Sequence, residues 1–389
     1  MSAGGLGPLD ALSGVASGFS TGEIGLMGSA HFAGFFIGCW WSPRLIGVIG
    51  HSRAFAVFAA AGTIGTLAHM MYVDPYAWSA MRVLSGMCIA GCFTVIEAWL
   101  QAKVTNATRG RTIGIYRVVD MTAGLASQLL IAVLEPAAYL SYNVLAMLCC
   151  ASLLPLALTR VPQPRAAEKL RLKPMLAAQI SPMATLAVLV AGVTTSSFRM
   201  VGPIYGSSIG LDKQQLALFL GGFILGGAIA MYPAGWLADK FDRRKVMIGF
   251  SVSAVLSCGF TILSAGMGIG PVLAASIMFG ATTFPIFSLA SAHANDFVDS
   301  SEMVELNSSL IFNYALGAIA SPLVVSLAIA VLGSPAMFIL IAIAHVLLCA
   351  FAFLRMKVRP ASEAKTAYTY MPRTSFLFAQ LLKRGKDGS

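Results

Sequence analysis

Apolar runs of about 20 residues recur along almost the whole 389-residue chain, separated by short polar breaks. A run of that length spans the roughly 30 Å of bilayer hydrocarbon as an α-helix, which satisfies its own backbone N–H and C=O groups. The runs show no strict alternation of apolar and polar residues, so a β-barrel is not expected. Composition agrees, with 57% hydrophobic and only 11% charged residues and a mean hydropathy of +0.79, far outside the range of soluble domains. The expected fold class is an all-α, multi-pass membrane protein.

The breaks place complete spans near residues 21–42, 53–73, 76–101, 111–134, 138–159, 179–205, 213–236, 246–266, 269–293, 304–331 and 335–356. Turn-forming dipeptides mark the joints, as in "DPY" at Asp74, "EPAAYLS" at Glu135, "GLDK" at Gly210 and "GSP" at Gly333. The opening "MSAGGLGPLDALSGVASGFS" is a twelfth, shorter stretch with Asp10 in its middle. It has neither the basic n-region nor the uninterrupted apolar core of an export signal. All seven cysteines fall inside predicted spans, without zinc-site or disulfide spacing, and read as small apolar filler.

The net charge of +10 would suit a nucleic-acid partner, but the cations sit in short inter-span connections with no interleaved aromatic surface. No nucleic acid is expected. Instead the charges orient the chain. One alternating set of connections holds Arg44 and Arg53, then Lys103, Arg109 and Arg111, then the linker "RVPQPRAAEKLRLKP", then Lys240, Arg243, Arg244 and Lys245, and lastly the tail from Arg355. The other set holds Lys213 alone. By the positive-inside rule, the linker and C-terminus are expected in the cytoplasm, in a bacterial inner membrane. The tail, ending in "TSFLFAQLLKRGKDGS", reads either as an interfacial amphipathic helix or as a disordered basic segment.

Self-similarity divides the chain in two. "RVLSGMCIAGCFTVIEAWLQ" from Arg82 lies 194 residues before "SIMFGATTFPIFSLASAHAN", aligning Gly86 with Gly280. "GLASQLLIAVL" from Gly124 aligns at the same offset with "AIASPLVV" from Ala318, and an offset near 192 sets "SPRLIGVIGHSRAF" against "AGWLADKFDRRKVM". Two halves in the same order suggest parallel repeats about an axis along the membrane normal, an architecture of secondary transporters. The expected domains are a helical half at 1–160, a linker at 161–178, a six-helix half at 179–356 and a basic tail at 357–389. Applying the offset to the opening stretch predicts a first transmembrane helix that is truncated, by a misassigned start or genuinely.

These stretches carry a resemblance. "GWLADKFDRRK" from Gly235 resembles the signature loop of the major facilitator superfamily, and "RVLSGMCIA" resembles that superfamily's fourth-helix pattern. "GFSTGEIGLMGSAHFAGFFIG", "IEAWL" and "SLASAHAND" are similar to its YcaD-type bacterial branch. The resemblance implies two six-helix pseudo-repeats around a central cavity and secondary active transport of a small solute by alternating access, coupled to protons. The first, fourth, seventh and tenth helices of such folds line the cavity. A departure is also visible: the fifth-helix Gly-Pro pattern of many drug antiporters is absent, with Gln128 in "AGLASQLL".

Ionisable groups inside hydrocarbon mark functional positions, because each costs roughly 2.5–3.5 kcal/mol at a helix centre. Asp10 and Arg82 share a depth and can pair; the resemblance makes Asp10 the proton-coupling candidate, against a permanent structural ion pair. Glu97, Arg117 and Asp120 match in depth near the cytoplasm and read as a structural clasp or a substrate site. Arg199, after four hydroxyl residues in "TTSSFRM", either binds an anionic solute group or snorkels to the outer surface. Tyr205, Thr282, Thr283, Asn313 and Tyr314 are candidates for polar lining. His31, His69 and His345 look isolated, so no metal site is expected.

The loop motif Gly235, Asp239, Arg243, Arg244 and Lys245 lies on the same face as the one acidic connection there, with Asp296, Asp299, Glu302 and Glu305. The expectation is a charge latch that biases two rigid arrangements, with Asp239 near a helix N-terminus; a merely solvated loop is the alternative. The first-half copy lacks it, having Gly47, His51 and Ser52 at the matching positions. No nucleophile, base and oxyanion constellation suggests an enzyme. The expected protein is a monomeric transporter without cofactors, in contact with the bilayer, a small-molecule solute and protons. A non-transporting sensor or scaffold, or an inactive truncated transporter, is the alternative.

Overall fold

Proline and glycine punctuate the apolar runs into fifteen helices in the computed structural model, which describes residues 2–103, 109–158, 173–299, 302–358, Tyr368 and Thr374. They are α1 (Ser2–Ala16), α2 (Thr21–Ile49), α3 (His51–Ala68), α4 (Pro75–Lys103), α5 (Arg109–Leu130), α6 (Tyr139–Ala151) and α7 (Leu153–Ala157) before the linker. After it come α8 (Leu176–Ile180), α9 (Pro182–Ser208), α10 (Lys213–Lys240), α11 (Arg243–Leu263), α12 (Ile269–Thr283), α13 (Ile286–Asn295), α14 (Met303–Leu332) and α15 (Ala336–Val358). No strand occurs among the described residues. Nine segments among them are long and apolar enough to cross a membrane. Most of the linker and of the tail lies outside the described residues, so the two readings of the tail are not addressed there.

The eleven sequence spans each have a helical counterpart, with three differences. The span expected at 269–293 is broken between α12 and α13 at Phe284 and Pro285. A proline inside a helix lacks its N–H and crowds the preceding turn, so an apolar run continues while its helix does not. The fifth span likewise breaks at Ser152, three residues before Pro155. The short α8 lies across the boundary expected between linker and second half. It is tied to α14, because the Ala177 N–H donates to Ser309 Oγ at 3.0 Å and Asn313 Nδ2 donates to the Pro174 carbonyl at 3.3 Å.

The repeat is visible in local geometry. α1 ends at Gly18 with φ +80°, and the Phe19 N–H reaches back to the Gly14 carbonyl at 2.9 Å. α9 ends at Gly210 with φ +82°, and the Leu211 N–H reaches the Gly206 carbonyl at 3.1 Å. Both are six-to-one closures on a left-handed residue, which only glycine adopts without a Cβ penalty. Two residues on, Ser20 and Glu23 form a capping box for α2, and Asp212 and Gln215 form one for α10. Every pair obeys the 192-residue offset.

Packing repeats as well. In lipid no hydrophobic force joins helices, so close backbone approach between small residues must do it. A Cβ on Gly34 would stand 1.9 Å from the Val83 carbonyl oxygen, and one on Gly86 2.0 Å from that of His31, so α2 crosses α4 backbone to backbone. Gly226 and Gly280 do the same for α10 and α12, at 1.9 Å from Ile277 O and 2.0 Å from Phe223 O.

The connections α2–α3 and α10–α11 lie at one end of the bundle, here named the basic end. At the opposite end the halves are sealed together. Gly25 and Gly28 of α2 lie against Ser326 and Pro322 of α14, and the Leu323 N–H donates to Ser29 Oγ at 3.2 Å. Lys213 of the α9–α10 connection bonds Glu135 across the same seam.

Candidate functional site

Three sets of polar residues lie along the bundle, the first of them in the sealed half. There Asp10 of α1 is 2% exposed, with Oδ2 3.5 Å from Arg82 Nη1 of α4 and Oδ1 accepting from the Tyr142 hydroxyl of α6 at 2.9 Å. Asp10 and Arg82 are thus brought together as their depths implied. His69, just past the end of α3, joins them, its Nε2 3.4 Å from Asp10 Oδ2. Its ring stacks on Tyr142 with centroids 5.5 Å apart, and its carbonyl accepts from the Trp78 indole N–H at 2.8 Å.

The hydrogen bonds of His69 constrain where protons sit. Nδ1 lies 2.6 Å from the Gly65 carbonyl oxygen, a contact that requires a hydrogen on Nδ1. In a neutral ring Nε2 then carries a lone pair, and that lone pair faces a carboxylate oxygen. The contact is repulsive unless a proton lies between them, on either the aspartate or the imidazole. The cluster is therefore a place where one proton changes the sign of an interaction. Sequence depth could have found His69, which lies five residues before Asp74 on the same side of the bilayer as Arg82. Tyr142 gave no signal of its own, since a lone tyrosine in an apolar helix is ordinarily packing.

On the basic-end side of the seal lies a cavity of about 240 Å³ between the halves. Arg199 of α9 reaches into it with its side chain exposed. A helical side chain leans toward its own helix N-terminus, which turns Arg199 inward rather than toward the opposite surface. Tyr314 and His31 also line the space, and Phe32, Phe36, Phe223 and Phe284 are among the apolar side chains of its wall. The other proposed lining residues lie elsewhere. Tyr205 is buried among Phe219 and Phe338 with its hydroxyl on the Thr261 carbonyl. Asn313 bonds Ser309 and Pro174, Thr282 bonds Met278 and Ser257, and Thr283 bonds the Phe279 carbonyl. Sequence flagged them as polar groups in apolar helices, but each is satisfied by a backbone carbonyl.

At the basic-end side of the cavity, Arg117 pairs with Asp120 at 2.9 Å. Glu97, fully buried, accepts from the Tyr116 hydroxyl at 3.3 Å and from the hydroxyl of Thr374. Thr374 also lines the cavity and places its carbonyl 4.0 Å from Cys39 Sγ. A tail residue in this position was not legible, because nothing local in "MPRTSFL" specifies a docking partner. Tyr368 behaves alike: its ring occupies the space a Cβ on Gly235 would need, and its N–H donates to Asp239 Oδ1 at 3.0 Å.

The loop charges form a third set. Arg243 is 2% exposed and donates through Nη1 to Asp296 Oδ1 and to the Ala292 carbonyl, both at 2.7 Å, while Nη2 lies 3.5 Å from Asp239. All four residues belong to the second half. Breaking such a buried pair from one side costs about 3–5 kcal/mol, since a charge is left uncompensated. Arg244 forks onto Asp242 at 2.8 Å. Glu305 meets Lys173 at 2.5 Å, whereas Lys245, Asp299 and Glu302 are exposed and form no ion pair among the described residues.

The expected carboxylate at a helix N-terminus is Asp242, not Asp239. Asp242 caps α11 by accepting from the Arg244 N–H at 3.0 Å, while Asp239 lies in the last turn of α10. At the matching first-half position stands Gly50, which offers no side-chain cap to α3. His345 Nε2 lies 3.1 Å from the Thr194 hydroxyl, His31 lines the cavity, and no group of three or more His, Cys, Asp or Glu placed to hold a metal ion occurs among the described residues.

The Major Facilitator Superfamily sequence profile matches residues 184–385, just over half of the chain. The chain belongs to the major facilitator superfamily. The superfamily is one of membrane transporters of small solutes, and the multi-pass architecture agrees with it. An uncharacterized MFS-type transporter of Enterobacter sp. (strain 638) is 24% identical over 348 residues, covering 89% of this chain and 88% of that one. The uncharacterized MFS-type transporter YcaD of Escherichia fergusonii is 23% identical over 304 residues, 78% of each, so the YcaD-type resemblance holds. The fold is also that of the nucleoside transporter NupG, whose crystal structure superposes with a TM-score of 0.76 at 15% identity over 92% of this chain and 95% of that one.

Proposed function

We propose that this chain is a proton-coupled secondary transporter of the bacterial cytoplasmic membrane, moving a small solute by alternating access. The observation that carries the proposal is the buried cluster of Asp10, His69, Arg82 and Tyr142 beside a cavity between two repeated halves. With Asp10 ionised, Arg82 is its counter-charge; with Asp10 or His69 protonated, the repulsion between Nε2 and Oδ2 becomes a hydrogen bond. Meanwhile Arg82 Nη2 reaches Met200 Sδ of α9 at 3.5 Å, so a change at Asp10 is transmitted to the facing half. That is the differential interaction that lets protonation bias two arrangements.

In this reading the basic end and the C-terminus are cytoplasmic, following the lysine and arginine distribution. The halves at 1–160 and 179–356 are the moving bodies, joined by the linker at 161–178 and followed by the tail at 357–389. The protein works as a monomer, with no nucleic-acid partner and no catalysis. Arg243, Asp239 and Asp296 brace the second half so that it moves as one piece, while Glu97, Arg117 and Asp120 order the cytoplasmic mouth of the cavity.

The test uses inverted membrane vesicles carrying the full chain and a pH-sensitive fluorophore, challenged with metabolites and amphiphilic drugs. At least one solute should change lumenal pH in vesicles with the wild type. Asp10→Asn should abolish that change while leaving membrane insertion intact, with a lowered unfolding midpoint because buried Arg82 loses its counter-charge. Unchanged proton movement in Asp10→Asn contradicts the coupling role, and a wild type inert to every solute favours a sensor or scaffold.

A further inference from the structure

We propose that the central cavity selects an organic monoanion, a carboxylate on a flat apolar body, with Arg199 as its counter-charge. The inference rests on the transporter reading above and names its substrate class.

Arg199 is exposed into the cavity and has neither an ion-pair nor a hydrogen-bond partner among the described residues. A permanent cation between apolar helices is costly unless a counter-charge or a watery space compensates it. Arg82 has Asp10, Arg117 has Asp120, and Arg243 has Asp296. Of these four guanidinium groups, Arg199 is the one to which the described residues supply no acid, so a ligand can supply it. Its planar fork fits two carboxylate oxygens at once.

Charge count sets the valence. The other two charges lining the cavity, Arg117 and Asp120, neutralise each other at 2.9 Å. One positive unit remains, so a dianion would carry a second charge without a partner. Phe32, Phe36, Phe223 and Phe284 give the space an aromatic lining. A sugar or nucleoside would bury several hydroxyls there, where the hydroxyl hydrogens of Ser127 and Thr374 are already given to the Gly124 carbonyl and to Glu97, which is unfavourable. A flat hydrocarbon body gains from the same lining. The volume, about 240 Å³, is below the roughly 300–1,000 Å³ of pockets for drug-sized ligands. A single-ring acid is of the right scale.

The experiment uses purified full-length protein in detergent, with radiolabelled benzoate as the probe. Benzamide serves as its neutral isostere and phthalate as its dianionic relative. Wild type should bind benzoate saturably, with benzamide and phthalate about tenfold weaker or worse, the scale of one lost charge-assisted contact. Arg199→Gln should lose about the same factor, and Arg199→Lys should recover part of it. Equal binding of benzoate and benzamide, unaltered binding in Arg199→Gln, or no saturable binding by wild type overturns the proposal. If Arg199→Gln does not fold, the three probes on wild type and the Lys variant still decide.

Failure here differs from failure of the transporter reading. Neutral solutes driving proton movement, with no benzoate bound, overturn the anion site and leave transport intact. Saturable, Arg199-dependent benzoate binding without movement of any solute supports the anion site and removes transport.

Discussion

At Asp242 a carboxylate does three things at once: it caps α11, forks with Arg244 and faces the positive end of the helix. Partial burial would raise its pKa, but the hydrogen bonds from the Arg244 side chain and backbone, and the charges of Arg244 and His293, lower it on balance. A carboxylate lowered in the folded state stabilises fully above its unfolded pKa, near 3.9, and the contribution is lost as pH falls through the folded value. Asp242→Ala should therefore lower stability by about 1 kcal/mol at neutral pH. Thermal unfolding in detergent should show the gap between wild type and variant narrowing below about pH 4. The residues themselves were unevenly legible. Asp10, Arg82 and Arg199 could be read from sequence because a charge in hydrocarbon is conspicuous. His69 was open to the same argument from depth but looked isolated, and Tyr142 could not be read, since its meaning depends on which helices meet.

The helices were legible because lipid forces a simple rule, an apolar run about 20 residues long. The rule sees composition and not continuity, which is why the breaks at Ser152 and Phe284–Pro285 escaped it although Pro155 and Pro285 stood in plain view. Nor does it see which face of a helix meets a neighbour. The repeat supplied part of that, by aligning Gly86 with Gly280 before their crossings were known. Those crossings can be tested directly. Gly280→Val places a side chain where the Phe223 carbonyl oxygen lies 2.0 Å from the Cβ position. It should destabilise by about 1–3 kcal/mol or block folding, as overpacking does. Gly114→Ala, on α5 with open space around its Cβ, should leave the unfolding midpoint unchanged or slightly raised. Equal midpoints for Gly280→Val and wild type would show that α10 and α12 do not approach as described.

Across the whole molecule, the sealed end, the cavity behind it and the cluster beside the seal place the buried Asp10–Arg82 pair where two bodies touch. Sequence alone reached the plan of two repeated halves, through the self-similarity at offsets of 192 to 194 residues. It did not reach the seal, because that depends on residues of α1, α2 and α5 meeting α9, α14 and α10 across the pseudo-symmetric interface. If protonation of the cluster shifts one arrangement toward the other, the two ends must move in opposite senses. Spin labels on a cysteine-free background can read this in lipid nanodiscs by double electron–electron resonance. One pair, at Tyr139 and Met267, spans the opposite end, and the other, at Val48 and Lys245, spans the basic end; all four side chains are exposed. On acidification one distance should lengthen while the other shortens, and Asp10→Asn should remove the response. Distances that stay fixed, or that change in the same sense at both ends, would contradict proton-driven alternating access in this protein.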